Sequence, residues 1–156
     1  MKKRAAVLRG GPSEEYDVSM KTGASVLQAL GNSSFEVIDI VISREGEWLI
    51  DGYVKTPDTA LVAIDVAFIA LHGAYGEDGT VQRILERLAV PYTGSRSYES
   101  NIAMNKVLTK DHLREIAIKT PRHMKVSRDV SDLGRLVHSI ESLYGNDFVV
   151  KPLDGG

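Results

Sequence analysis

The 156-residue sequence contains no cysteine, no long apolar run and no excess of charge of one sign. Without cysteine it has no disulfide framework, no thiol nucleophile and no cysteine-based metal site, and such a composition fits a reducing cytoplasm. The formal net charge of −2 gives no electrostatic reason to bind nucleic acid or an anionic membrane. No segment approaches the ~20 apolar residues that span a bilayer. We therefore expect a cytoplasmic protein that binds neither nucleic acid nor membrane.

The composition that remains is typical of a folded domain, with 43% hydrophobic and 26% charged residues. Strands rich in Val and Ile are predicted over residues 4–8, 36–43 and 66–71, separated by segments of helical periodicity. This alternation favours an α/β fold with an open parallel sheet flanked by helices. Asp51-Gly52, between two apolar runs, predicts a β-hairpin over residues 48–54.

From about residue 95 the pattern changes to two helices, over residues 97–104 and 106–117, followed by alternating short segments. We predict strands near residues 123–126 and 148–151, with a helix between them. A length of 156 residues suits one ordinary domain, or one small domain with part of another. We therefore predict a domain over residues 1–95 and the beginning of a small α+β subdomain over residues 96–156.

The loop after the predicted strand 66–71 combines three glycines with His72, Glu77 and Asp78. Ligands of open α/β sheets bind beyond the carboxyl ends of the strands, so this loop is a candidate site. His72 could instead be a core histidine with a backbone partner, but the adjacent glycines allow close approach to a ligand. Glu77 and Asp78 precede a predicted helix, so capping is their first explanation. No second histidine stands at a ligand spacing, and we expect no metal in this loop.

A second polar turn, Gly10-Gly-Pro-Ser-Glu-Glu15, follows the first predicted strand. It lacks the third glycine of a dinucleotide fingerprint and the lysine of a P-loop. Glu14 and Glu15 are by default solvated acids of a first helical turn, whereas the functional alternative is that one of them binds a substrate ammonium. Asp17 or Ser19 is expected to cap the helix that follows.

The segments together resemble the D-alanine–D-alanine ligases of the ATP-grasp superfamily. The resemblance rests on residues 7–19, 69–79, 91–95 and 104–106, and Thr120-Pro121 and residues 149–152 extend it. Its most specific part is Leu-His-Gly-x-x-Gly-Glu-Asp-Gly with Pro-Tyr-Thr-Gly downstream. It implies a Rossmann-like pre-ATP-grasp domain followed by the start of an ATP-grasp subdomain.

The resemblance also implies a reaction, in which ATP phosphorylates one D-alanine and a second D-alanine attacks the acyl phosphate to give a dipeptide for peptidoglycan. Glu15 would bind the first ammonium, Val18 would contact the methyl group, and His72 would lie near the reacting carboxyl group, so Glu15 and His72 are the implied catalytic residues. Lys106 and Lys151 would reach the ATP phosphates. The Mg²⁺ ligands are implied beyond residue 156, so we expect the N-terminal portion of a longer ligase, inactive by itself. A homodimer through the N-terminal domain is also implied.

Three positions depart from the family pattern: Asp17 stands for Glu, Asn105 for Asp, and Asp154-Gly-Gly for Glu-Gly-Ser. Two other functions stay open on the sequence. The first is a related ligase that joins D-alanine to D-lactate or D-serine, and the second is a non-catalytic flavodoxin-like binding module.

Overall fold

The computed structural model describes residues 2–154 and divides them into two compact units. The first unit ends at Met104, and the second comprises Asn105–Asp154. The sequence placed the boundary earlier, between residues 95 and 96. The structure instead includes helix Ser97–Met104 in the first unit, and Ser97 donates from its backbone N–H and its hydroxyl to the Glu86 carboxylate at 3.0 and 2.6 Å.

The first unit contains a five-stranded open sheet of order β4-β3-β2-β1-β5. Its strands are β1 (Arg4–Gly10), β2 (Glu36–Ile42), β3 (Trp48–Ile50), β4 (Tyr53–Lys55) and β5 (Val66–Ile69). Strand β1 is the central one of the three parallel strands and pairs with β2 and β5, as the alternating pattern predicted. β3 and β4 extend this parallel sheet as an antiparallel hairpin.

The hairpin turn adopts the conformation that its sequence predicts. Asp51 and Gly52 both have positive φ, 51° and 80°, between the paired residues Ile50 and Tyr53. A turn with two left-handed residues matches the twist of the flanking strands. The predicted hairpin over residues 48–54 is therefore confirmed.

The core lies on β1 and its neighbours, because a central strand is covered on both faces. Ala5, Ala6, Val7 and Leu8 are all at most 4% exposed. β5 differs from the prediction of a strand buried on both faces: Ala67 is buried, but Phe68 and Ile69 are only partly so. The physical reason is its position at the sheet edge, where a single bridge between Ala67 and Tyr92 covers the far side.

Four helices belong to the first unit: α1 (Tyr16–Leu30), α2 (Pro57–Ala60), α3 (Thr80–Arg87) and α4 (Ser97–Met104). The apolar face predicted for α3 is confirmed, with Val81 and Leu85 fully buried.

The capping residues predicted for α1 were wrong. Its N-cap is Glu15, and Ser19 lies inside the helix with no exposed surface. The buried face of α1 includes Ser19 and Gly23, whereas Ala24, which the sequence placed on that face, is exposed. The helix lies close to β1 at Gly23, where an added Cβ would come within 2.6 Å of the Arg9 Cβ.

The second unit contains two helices, α5 (Lys106–Glu115) and α6 (Leu133–Tyr144), and neither buries a residue. The strands predicted at residues 123–126 and 148–151 were wrong, because no strand forms in the described part of this unit. A strand is stable only when another strand satisfies its backbone groups, and Val149 and Val150 are instead 78% and 81% exposed. Within residues 2–154, no helix has both the length and the apolar character needed to cross a membrane.

Candidate functional site

The loops that follow β1 and β5 begin side by side, because the two strands are parallel and Leu8 pairs with Ile69. The buried hydroxyl of Ser19 ties these strand ends together. It accepts from the Gly10 N–H at 2.8 Å and donates to the Ala70 carbonyl at 2.8 Å. The two loops therefore form one polar edge on the first unit.

Ser13 connects the first loop to the glycine-rich loop. Its hydroxyl donates to the His72 carbonyl at 2.8 Å and accepts from the Glu15 N–H at 3.2 Å. Gly73 follows with φ of +70°, and a Cβ placed there would lie 3.7 Å from the Glu15 carboxyl carbon. The Glu15 carboxyl group thus lies beside Gly73, the residue that follows His72, and the structure brings Glu15 to the loop that carries His72.

The His72 ring has a polar neighbour at each nitrogen. Nε2 lies 2.9 Å from the Thr22 hydroxyl of α1, and Nδ1 lies 3.5 Å from the Glu77 Oε1. The second Glu77 oxygen accepts from the Gly73 N–H at 3.0 Å. Glu77 therefore closes its own loop and faces His72, whereas the sequence gave capping as its first explanation.

Asp78 directly precedes Gly79, the N-cap of α3, and stabilises the turn that leads into the helix. Its carboxylate accepts from the backbone N–H groups of Tyr75 and Thr80 at 3.0 and 2.8 Å. Burial raises the pKa of Asp78, but these hydrogen bonds outweigh burial and hold the pKa below its ordinary value. The loop therefore keeps an ionised carboxylate at the N-terminus of α3, where negative charge is stabilised.

A hydrogen bond between buried Trp48 and partly buried Tyr75 anchors the same loop to the hairpin. The Trp48 indole N–H donates to the Tyr75 hydroxyl at 2.8 Å, and burial raises the pKa of the Tyr75 phenol. Gly76 lets the loop fold onto its own strand, because a Cβ there would come within 2.4 Å of the Leu71 Cβ. The middle of the loop is thus held by the Tyr75 hydroxyl and by close packing at Gly76, where a larger residue has no room.

Of the other predicted site residues, Val18 follows Glu15 by three residues, and Lys106 and Lys151 belong to the second unit. Val18 lies in the first turns of α1 and is 54% exposed. Lys106 begins α5 and Lys151 lies in an irregular segment, both in the second unit. The Lys106 N–H donates to the Leu153 carbonyl at 3.1 Å, so the chain segments that carry the two lysines meet.

Sequence reasoning missed Ser13 and Thr22 and misassigned Ser19 and Glu77. Helical spacing could have identified two of these residues, Ser19 and Thr22. Ser19 and Thr22 follow Glu15 by four and seven residues, a spacing that places side chains on one face of a helix. The contact of Glu77 with His72 depends on the loop conformation, which spacing does not determine.

The comparisons with known proteins identify the family of the chain. The family model for the D-ala D-ala ligase N-terminus matches residues 4–61 and 51–95. The D-alanine–D-alanine ligase of Syntrophotalea carbinolica is 44% identical over 134 residues, which are 86% of this chain and 41% of that protein. The ligase of Bacillus anthracis is 38% identical over 153 residues, covering 98% of this chain and 46% of the relative.

A solved structure of a D-alanine–D-alanine ligase from Bacillus anthracis superposes with a TM-score of 0.74 at 35% identity, covering 99% of this chain and 47% of that one. The ligase structure from Coxiella burnetii gives the same TM-score at 25% identity and covers 90% of this chain and 49% of that one. The chain therefore spans less than half the length of these relatives. Because the family model matches more than half of its residues, the chain belongs to the D-alanine–D-alanine ligase family.

Proposed function

We propose that this chain supplies the site for the first substrate of an ATP-dependent ligase that joins two D-alanine molecules. The observation that carries the proposal is the meeting of Glu15 with the His72–Gly73 loop at the carboxyl ends of two parallel strands. Such an edge is the usual ligand site of open α/β sheets.

Glu15 is suited to bind the ammonium group of the first D-alanine. Its side chain is half-buried, and within residues 2–154 no hydrogen bond or ion pair engages its carboxylate. A carboxylate without a cation partner binds an ammonium through charge-assisted hydrogen bonds. His72, one loop away, would then lie near the substrate carboxyl group, and Val18 would contact the methyl group.

The reaction that follows is phosphoryl transfer and then acyl transfer. The D-alanine carboxylate attacks the terminal phosphorus of ATP and releases ADP, and the amine of the second D-alanine displaces phosphate from the acyl phosphate. Phosphoryl transfer needs mainly positioning and charge neutralisation, which we assign in part to Lys106 and Lys151. A cytoplasmic location, a role in peptidoglycan synthesis and a homodimer remain predictions.

Mg²⁺, which ATP-dependent ligation implies, finds no fitting site among the described residues. No group of three or more His, Cys, Asp or Glu side chains converges there in a way that could hold a metal ion. Binding of D-alanine by residues 1–156 is therefore the property that tests the proposed site.

The test is a titration of the ¹⁵N-labelled chain with D-alanine, followed through the amide signals of residues 13–15 and 72–73. We expect Glu15→Gln to weaken binding by about 10-fold or more, because it removes the charge from a charge-assisted hydrogen bond. Glu14→Gln is the matched control, since it removes a neighbouring exposed carboxylate and should leave the affinity unchanged.

Two results would contradict the proposal. One is a folded chain whose signals at residues 13–15 and 72–73 do not respond to D-alanine. The other is a Glu15→Gln variant that binds D-alanine as well as the wild type.

A further inference from the structure

We propose that Thr22 is a positioning residue that, together with Glu77, holds the His72 ring as the neutral tautomer with its proton on Nδ1. The proposed function enters only in the claim that this ring orientation serves the D-alanine site. Two contacts of the ring support this assignment, one at Nε2 with Thr22 and one at Nδ1 with Glu77.

The tautomer follows from the chemistry of the two partners. An ionised carboxylate can only accept hydrogen bonds, whereas a threonine hydroxyl can donate or accept. With Glu77 facing Nδ1, the proton of the neutral ring is favoured on Nδ1, and Nε2 then accepts from the Thr22 hydroxyl. Which ring nitrogen carries the proton is set by the hydrogen bond at the other one.

Both partners are themselves fixed. Glu77 is oriented by the Gly73 N–H, which donates to its second oxygen at 3.0 Å. Thr22 lies within α1, where a threonine hydroxyl can bond to the carbonyl one turn earlier. Here the hydroxyl is instead directed at His72 across the gap between the helix and the loop.

The position of Thr22 links the ring to the rest of the site. Thr22 and Glu15 stand two helical turns apart on the same face of α1, so one helix carries both groups. The His72 ring is 31% exposed, so its edge remains open to a ligand. We infer that Thr22 sets the angle at which His72 meets the D-alanine carboxyl group.

The test is the ¹⁵N chemical shifts of the His72 ring in the 156-residue chain without substrate, at a pH where the ring is neutral. The chain has four histidines, so His72→Gln identifies the signals. We expect the Nδ1–H form to dominate in the wild type and the Nε2–H form to increase in Thr22→Val. Thr22→Ser, which keeps the hydroxyl, should restore the wild-type shifts.

Ser25→Ala is the matched control, because Ser25 is an exposed residue on the same helix whose hydroxyl donates to the Lys21 carbonyl at 3.1 Å. It should leave the ring shifts unchanged. If Thr22→Val does not fold, Thr22→Ala replaces it, since it removes the hydroxyl without adding a methyl group in its place. Unchanged His72 shifts in a folded variant without the Thr22 hydroxyl would overturn the proposal.

D-alanine binding tests the link to the site separately. We expect Thr22→Val to weaken D-alanine binding by about 2- to 10-fold, the effect of one neutral hydrogen bond. A changed tautomer with unchanged affinity would refute the role at the site. If the wild-type chain does not bind D-alanine at all, the proposed function fails, and the tautomer result still decides whether Thr22 positions His72.

Discussion

The two compact units of this chain differ most in what they bury. All of the buried hydrophobic residues in the described structure lie in the first unit, between Ala5 and Val90, whereas α5 and α6 of the second unit bury none. The helices of both units carry apolar faces, yet only those beside the sheet are covered. An amphipathic helix therefore indicates a buried face only where another element is present to receive it.

The largest expected effect comes from truncating one leucine in each unit. Leu8→Ala removes a fully buried side chain from the central strand and should lower the free energy of unfolding by about 2–5 kcal/mol. Leu143→Ala, at a side chain 51% exposed, should change it by only about 0.5 kcal/mol. Urea unfolding followed by fluorescence and circular dichroism measures both. Trp48, the only tryptophan, reports on the first unit.

If the two leucine variants lowered the free energy of unfolding equally, α6 would be covered by another element in solution. Leu143→Ala should also leave the Trp48 fluorescence transition in place, because Trp48 belongs to the first unit.

A smaller effect, of opposite sign in the two units, is expected from replacing a helical glycine with alanine. At Gly23 the new Cβ would come within 2.6 Å of the Cβ and Cδ of Arg9. We therefore expect overpacking to lower the free energy of unfolding by about 1–3 kcal/mol. Gly134 in α6 has no close neighbour nearer than 3.5 Å, and alanine there should stabilise the helix by about 0.5 kcal/mol. A stabilising Gly23→Ala would mean that α1 does not pack tightly on β1.

The smallest expected effect is on the pH dependence of the stability of the first unit. Hydrogen bonds from the Ser97 hydroxyl, the Ser97 N–H and the Tyr92 hydroxyl lower the pKa of Glu86 from 4.5 to about 2. A lowered pKa in the folded state stabilises it above the ordinary value, and this contribution is lost as the pH falls from about 4.5 to about 2. Glu86→Gln should flatten that part of the stability profile, measured by Trp48 fluorescence in urea between pH 6 and pH 2.

Ser97→Ala is the control for the acid transition, because it removes the hydroxyl donor and keeps the backbone N–H. It should give a profile between those of the wild type and Glu86→Gln. A Glu86→Gln variant with an unchanged acid transition would assign the transition to other carboxylates, of which Asp58 and Asp78 also have lowered pKa values.

The sequence predicted the first unit far better than the second. Its strands, the hairpin at Asp51-Gly52 and the buried face of α3 are all present, because each depends on local periodicity or on turn chemistry. The strands predicted at residues 123–126 and 148–151 are absent from the described structure. Local sequence can favour an extended segment, but the strand itself requires a partner.

The candidate site was also predicted only in part from the sequence. The residue types at the ends of β1 and β5 identified His72 and one of Glu14 and Glu15 as candidates, the family resemblance selected Glu15, and parallel pairing made their loops neighbours. The contacts that orient them were not predictable: Ser13 to the His72 carbonyl and Thr22 to the His72 ring both join residues far apart in sequence.

The sequence by itself therefore determined the parallel core, the family and the two loops that carry the candidate chemistry, since these follow from periodicity and short motifs. Only the tertiary structure decided that Ser19 joins the strand ends and that Glu77 faces His72 and closes its own loop. It also decided that the His72 ring lies between Glu77 and Thr22. Hydrogen-bond partners of this kind are chosen by distances of about 3 Å, and such distances exist only once the helix, strands and loops have packed together.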